Sequence, residues 1–511
     1  MEVGVHSFPS LSDSGGPLPI LVAKSRMFPR PAIGHLNVLI LMTKLCLPAL
    51  VIFALPLLSC STTPTAVLPA VATIQPATLD AVERAYALHP ENQDRFRESV
   101  LRLMVAPDPE AQLLYDPSLT TLLAGLESKS YRRNDRQWKK TPLDPNGTPV
   151  AFRYYARSVT TWVRKGNRDD RVFVILGSSY STWKRGTWTN KTSVILKRCF
   201  PDASIMVMPG FLTPEVLSAR PLIPELDGTL VARDLYRRMR YHFERNWARL
   251  PEVGLIGYSG GGALALSLLA EDETYAAEHG KTRLFRLGGI AYSPVLDPLA
   301  AFEVLDAGSR WADSNGYSSR KAITTPVIPD LLFAALKNRG PWNLDYYARY
   351  LLDTPEMAEA RRDLRARFYR EFALVDLRGV IDAHYQISPA EVCPVTNHQK
   401  FYRDIVFPLH QQIVPELVGS RTIEEYASLP HTLRGLRSSR AYIVFPLDDP
   451  VLSCAQTNGE IVPHPRVIAA LDWLKTLPNV RVFAPERGGH MGYFLDAQFL
   501  ERCMAVFFGQ D

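Results

Sequence analysis

The chain has 511 residues, of which 46% are hydrophobic and 22% charged, with 58 basic against 52 acidic residues and a net charge of +6. That is the composition of a globular protein with a sizeable core, and it excludes a disordered, collagen-like or uniformly polybasic chain. The length suits one large domain with insertions or several smaller ones, and the sequence carries neither an internal repeat nor zinc-type Cys/His spacing.

Residues 42–61 read MTKLCLPALVIFALPLLSCS. Lys44 supplies a short positive start, and Leu45 to Leu58 is an uncharged apolar run of 14 residues. A bilayer span needs about 20, so the run fits the apolar region of a signal peptide. It ends in Leu57-Leu58-Ser59-Cys60, which resembles the lipobox of bacterial lipoproteins. The resemblance implies that Cys60 is lipidated, becomes the mature N-terminus and anchors the protein to a membrane without spanning it. Ser61 rather than Asp follows the cysteine, which by the sorting rule of Gram-negative lipoproteins implies the outer membrane. Residues 1–41 fit no signal, so Met42 or Met27 is the expected start. Residues 61–78 (STTPTAVLPAVATIQPAT) are small, uncharged and rich in Pro, Thr and Ala, as in a tether. The later cysteines, Cys199, Cys393, Cys454 and Cys503, would then lie in a compartment that permits disulfides, with the pairing open.

Residues 79–148 are expected to be mainly helical: LDAVERAYALH, NQDRFRESVLRLMVA and PSLTTLLAGLE all show helical spacing of apolar residues. From about 149 the pattern changes. VAFRYYARSV and TTWVRKG are β-rich, and six apolar runs follow: RVFVIL, ASIMVM, VGLI, LGGIAY, AYIVF and VRVFA. Helix-type segments separate most of them, which predicts an α/β fold with a mostly parallel sheet covered on both faces. The basic stretch RDLYRRMRYHFERNWAR (233–249) places Leu235, Met239 and Phe243 on one helical face. Its arginines read as a solvated face, so no nucleic-acid partner is expected. Between Tyr292 and Ala441 the chain is too long for a loop and contains helix-type segments, so 297–431 is expected to form a helical cap insertion. Phe333, Tyr346, Tyr347 and Tyr350 would line an acyl pocket there or form the cap's own core.

The stretch GLIGYSGGGALALSLLAE (254–271) carries the chemistry. Gly257-Tyr258-Ser259-Gly260-Gly261 fits G-x-S-x-G between a strand-like and an apolar helix-like segment. A serine on such a turn is strained, and its neighbours two residues away must lack Cβ for the hydroxyl to stand clear of the sheet. The phosphate-binding alternatives fail, because no Gly-Lys-Ser/Thr ending is present and the glycine spacing is not G-x-G-x-x-G. A serine needs a base. His490, in ERGGHMGYF after the last apolar run, is the candidate, since Gly488 and Gly489 permit a tight loop. His398, His410 and His431 fall in the expected cap. The acid that orients the histidine is Asp449 or its neighbour Asp448 in FPLDDPVL, with Asp297 in YSPVLDP a weaker candidate.

With the order Ser259, Asp449, His490, the chain resembles the α/β-hydrolase superfamily. GGHMGYF is similar to the histidine segment of its membrane-associated lipid esterase branches, and Asp449-Pro450-Val451-Leu452 to its acid segment. The resemblance covers 149–296 and 432–511 as the hydrolase core. It implies an α/β-hydrolase-type fold and a serine hydrolase acting on a lipid or other small ester without metal or organic cofactor. It also implies two oxyanion donors: the Gly260 amide and one from Gly177-Ser178-Ser179-Tyr180, with Ser178 the expected residue. Peptidase, thioesterase and acyltransferase chemistry, or a non-catalytic envelope role, would be compatible with the same scaffold.

Overall fold

The computed structural model describes residues 78–509 apart from 129–130, 132–134, 168–169, 179–186, 211–212, 214–215, 217, 220, 222–225, 227, 315–343, 363–364, 367–397, 453 and 458–459. The expected leader, Cys60 and the tether up to residue 77 lie outside the described residues, as do Phe333, Cys393, Ser179 and Tyr180.

The described chain opens with helices α1 (Leu79–Arg84), α2 (Gln93–Leu101) and α3 (Pro117–Ser128). Capping chemistry starts two of them. The Thr78 hydroxyl accepts the Ala81 N–H, and Asp116 Oδ1 accepts the Leu119 N–H at 2.9 Å with proline in the first helical position. Strands β1 (Lys139–Leu143), β2 (Val159–Arg164) and β3 (Arg171–Leu176) follow. Then come α4 (Thr187–Cys199), β4 (Ser204–Met208), α5 (Thr229–Asn246), β5 (Glu252–Tyr258), α6 (Gly260–His279), β6 (Gly288–Tyr292) and α7 (Pro298–Ser314). After the insertion the chain resumes with β7 (Ala441–Val444), the hairpin β8 (Cys454–Thr457) and β9 (Glu460–Pro463), α8 (Pro465–Lys475), β10 (Val480–Phe483) and α9 (Ala497–Phe508).

One eight-stranded sheet runs β1-β2-β4-β3-β5-β6-β7-β10. Strand β2 is antiparallel to both its neighbours and every other pairing is parallel. With helices on both faces, this is an α/β-hydrolase-type sheet. The six apolar runs of the sequence are its six consecutive parallel strands, β4, β3, β5, β6, β7 and β10. Alternation assigns each run to two cores. Val172, Val174 and Leu176 pack on the face covered by α5 and α6, while Phe173 and Ile175 pack on the other with α4, α9 and the N-terminal helices.

The first strand begins earlier than expected, at Lys139 within the N-terminal helical region. KKTPL carries two lysines and a proline, and such residues suit an edge strand while erasing the apolar signal. The segment Val150–Phe152 is a turn of 3₁₀-helix instead of the expected strand. The backbone that follows it is partly paired by side chains of α5. Asp234 Oδ2 accepts the Tyr155 N–H at 2.8 Å, and the Arg238 guanidinium donates to the carbonyls of Tyr155 and Arg157. The solvated-face reading of α5 is corrected accordingly: Arg238 and Arg240 are buried, Arg238 in an ion pair with Asp234 at 2.6 Å. A buried guanidinium is tolerated here because its donors are satisfied.

The described parts of 297–431 go to two places. Leu344–Arg349 and the following turn join the N-terminal region, where Leu113 bridges Leu352 and Tyr347 is buried in the same core as α3. Helical segments His398–Phe401 and Phe407–Ile413 and the turns up to Tyr426 pack on α7 through Phe302, Tyr402, Val406 and Tyr426. Cys199 and Cys503 are free thiols, and burial pushes Cys199 up to about 12.

Candidate active site

The site lies at the carboxyl edge of the parallel strands, where open α/β sheets leave their crevices. Ser259 is the residue between β5 and α6. Its backbone has φ 53° and ψ −125°, a strained conformation for a residue with a side chain. The turn is tied down by the Ser259 N–H donating to the Tyr292 carbonyl at 2.9 Å and by the Gly262 N–H donating to the Ser259 carbonyl at 2.9 Å. Its flanking glycines have a steric cause. A Cβ on Gly257 would lie 2.1 Å from the Gly261 carbonyl oxygen, and one on Gly261 would lie 2.4 Å from the Gly177 oxygen. Helix α6 therefore enters against the backbone of the end of β3, which sets Gly260 beside the Gly177-Ser178 loop. Gly260 is the first residue of α6, so its amide has no acceptor within the helix. The Gly177 amide is already given to the Met208 carbonyl at 3.0 Å, and Ser178 is buried at the start of the loop.

Asp449 and His490 meet. His490 Nδ1 lies 2.8 Å from Asp449 Oδ2, and both side chains are buried. The other carboxylate oxygen accepts the amides of Val451 at 2.8 Å and Leu452 at 3.0 Å. These bonds aim the carboxylate and give a physical reason for the Asp449-Pro450-Val451-Leu452 segment. Ser259, Asp449 and His490 thus follow β5, β7 and β10, and the sheet order puts all three at one edge.

Asp448 faces elsewhere. Its Oδ1 accepts the Gly489 N–H at 2.9 Å and its Oδ2 accepts the Tyr115 hydroxyl at 2.5 Å. Burial, opposed by these bonds and reinforced by the Asp449 charge, pushes its carboxyl up to about 7. Asp297 is taken up structurally, capping α7 through the Ala300 N–H at 2.8 Å and pairing with Arg466 at 2.8 Å. Among the cap histidines, His398 is held by Asp306 at 3.0 Å and His410 by Tyr426 at 3.0 Å.

The sequence reading missed the N-terminal helices' part in the site. The Gly488 N–H donates to Tyr115 Oη at 2.7 Å, and the His490 N–H donates to Thr121 Oγ1 at 2.9 Å. Gly489 has φ +56°, and a Cβ on it would lie 2.3 Å from the Pro117 carbonyl oxygen, so the loop lies flush on the start of α3. The glycine pair was visible in the sequence, whereas its partner surface was not.

No family model and no curated protein matches this chain. Solved structures similar to it include three esterases. Esterase B from Lactobacillus rhamnosis is 12% identical, with a TM-score of 0.31 over 71% of this chain and 79% of that one. A Pyrococcus furiosus esterase is 10% identical, with a TM-score of 0.38 over 74% and 96%. A hyperthermophilic esterase of Pyrobaculum calidifontis is 12% identical, with a TM-score of 0.33 over 77% and 90%. The chain's own strand order and directions define its fold.

Proposed function

We propose that this chain is a serine hydrolase that cleaves a carboxylic ester through an acyl-enzyme. The observation that carries the reading is the pair of Ser259 in a strained strand-to-helix turn and the buried Asp449–His490 hydrogen bond at the same sheet edge. Ser259 Oγ attacks the ester carbonyl carbon while His490 Nε2 takes its proton. Asp449 holds the proton on Nδ1, which leaves Nε2 free as the base and stabilises the imidazolium. The amides of Gly260 and Ser178 receive the oxyanion. The tetrahedral intermediate collapses, the leaving alcoholate takes the proton from His490, and the acyl group remains on Ser259. Water, deprotonated by His490, then attacks the acyl carbon and releases the acid. The cycle requires no metal or organic cofactor.

A fluorophosphonate probe should label the protein on Ser259, with p-nitrophenyl esters of graded chain length hydrolysed in parallel. Undiminished labelling of Ser259→Ala would remove the assignment. The anchor is a second proposal and rests on residues 42–61 alone: Cys60 carries the lipid and holds the enzyme at the bacterial outer membrane, near lipid or other ester substrates. Labelled palmitate should enter the wild type and not Cys60→Ser.

A further inference from the structure

Four groups close a ring beside the histidine loop. The Gly488 N–H donates to Tyr115 Oη, the Tyr115 hydroxyl donates to Asp448 Oδ2, and the Gly489 N–H donates to Asp448 Oδ1. The two amides fix the direction of two bonds, because amides only donate: Tyr115 Oη accepts from Gly488 and Asp448 Oδ1 accepts from Gly489. The third bond depends on the charge of Asp448. With the carboxylate ionised, the phenol proton is donated to Oδ2 and every donor of the ring is satisfied. With a proton on Oδ2, the carboxyl donates to the second lone pair of Tyr115 Oη instead, and the phenol proton loses its carboxylate acceptor and a charge-assisted bond.

We propose that Tyr115 and Asp448 are positioning residues: as a carboxylate–phenol clasp they hold Gly488 and Gly489, and through them His490, in the geometry that catalysis needs, and protonation of Asp448 loosens the clasp. This rests on the reading of His490 as the catalytic base. The clasp titrates in the working range, because burial and the neighbouring Asp449 raise the Asp448 carboxyl to about 7 against the pull of its two donors. The other charged and titratable groups around it are accounted for. Asp449 and His490 are bonded to each other, and the Arg487 guanidinium lies 5.5 Å from the centre of the Tyr115 ring. Asp116 is paired with Arg365 at 2.6 Å, and Asp496 accepts the Ala87 N–H at 3.2 Å with Arg95 at 3.6 Å. The Tyr86 hydroxyl, on the Gly488 side, is buried without a hydrogen-bond partner among the described residues, and burial holds it protonated.

Protonation of Asp448 then adds a step to the acid limb of the kcat profile and steepens it beyond a slope of one. Asp448→Asn keeps an acceptor for the Gly489 N–H but turns an amide donor on Tyr115 Oη, and so mimics the protonated, loosened clasp. Its kcat should fall about 10- to 100-fold with KM little changed, a size expected for a displaced catalytic group. Its acid limb should drop to a slope of one. Tyr115→Phe, which keeps the ring, should lower kcat and move the limb to higher pH, because the carboxylate loses a donor. The imidazole resonances of His490 give a readout that needs no turnover: they should shift with the titration of Asp448 in the wild type and lose that response in Asp448→Asn. A slope of one in the wild type, unchanged in both variants, together with imidazole resonances that do not respond to Asp448, would overturn the clasp. Absence of Ser259-dependent hydrolysis would overturn the hydrolase reading instead, and the imidazole titration would still decide the clasp. If Asp448→Asn does not fold, Tyr115→Phe carries the same pair of measurements.

Discussion

The serine turn and the histidine loop both lie at the carboxyl edge of the sheet but are built in different ways. The turn around Ser259 rests on backbone alone: Gly257 lies against Gly261 four residues on, Gly261 against the end of β3, and β6 takes the Ser259 amide. The loop around His490 borrows its support from far away in the chain. Tyr115 and Thr121 reach it across more than 360 positions, and Asp448 across 41. A nucleophile placed by backbone sterics tolerates little local change. A base placed by distant side chains can be adjusted by degrees.

Substitutions can test that contrast. Ser259→Ala should lower kcat by about 10⁶, as loss of a nucleophile does, with the melting temperature unchanged. Asp449→Asn should lower kcat by about 10⁴, because the amide favours the wrong imidazole tautomer. Full activity in that variant would transfer the orienting role away from Asp449. Gly257→Ala puts a Cβ against the Gly261 backbone, and should cost on the order of 3 kcal/mol in denaturant unfolding as well as activity. If it is neutral, the turn is not sterically built.

On the histidine side the effects should be graded. Thr121→Val strands the buried His490 N–H and should cost about 1–3 kcal/mol. Thr121→Ser should restore most of the loss in both stability and kcat. The smallest effect concerns pH. Asp448 keeps its proton in the folded protein up to about 7 but releases it near 3.8 when unfolded. The native state therefore binds more protons across that window, and this group's contribution to stability falls as pH rises from about 4 to about 7. Calorimetry of Asp448→Asn should show a flatter dependence of melting temperature on pH there. An unchanged slope would mean that Asp448 ionises normally.

How much of this was legible varied with the reach of the interaction. The parallel strands inside the sheet were readable because a strand buried on both faces must be apolar almost throughout, whereas the edge strand β10 carries Arg481. The turn at Ser259 was readable because one of its constraints, Gly257 against Gly261, acts within five residues. Strand β1 was not, since an edge strand can carry Lys139, Lys140 and Pro142. The buried Arg238 was misread as solvated because its partners, the carbonyls of Tyr155 and Arg157, lie some 80 residues away. Asp448 and Asp449 are adjacent and alike, so composition and spacing left the choice open.

The sequence by itself determined the alternation of strands and helices, the site of the strained serine, and the chain order of serine, acid and histidine. These follow from periodicity and from sterics among near neighbours, which a linear chain carries in full. Only the tertiary structure decided that Asp449 faces His490 while Asp448 turns to Tyr115, and that the N-terminal helices brace the loop. Which way a carboxylate points depends on donors brought close by folding, and those donors leave no mark at the carboxylate's own position in the chain.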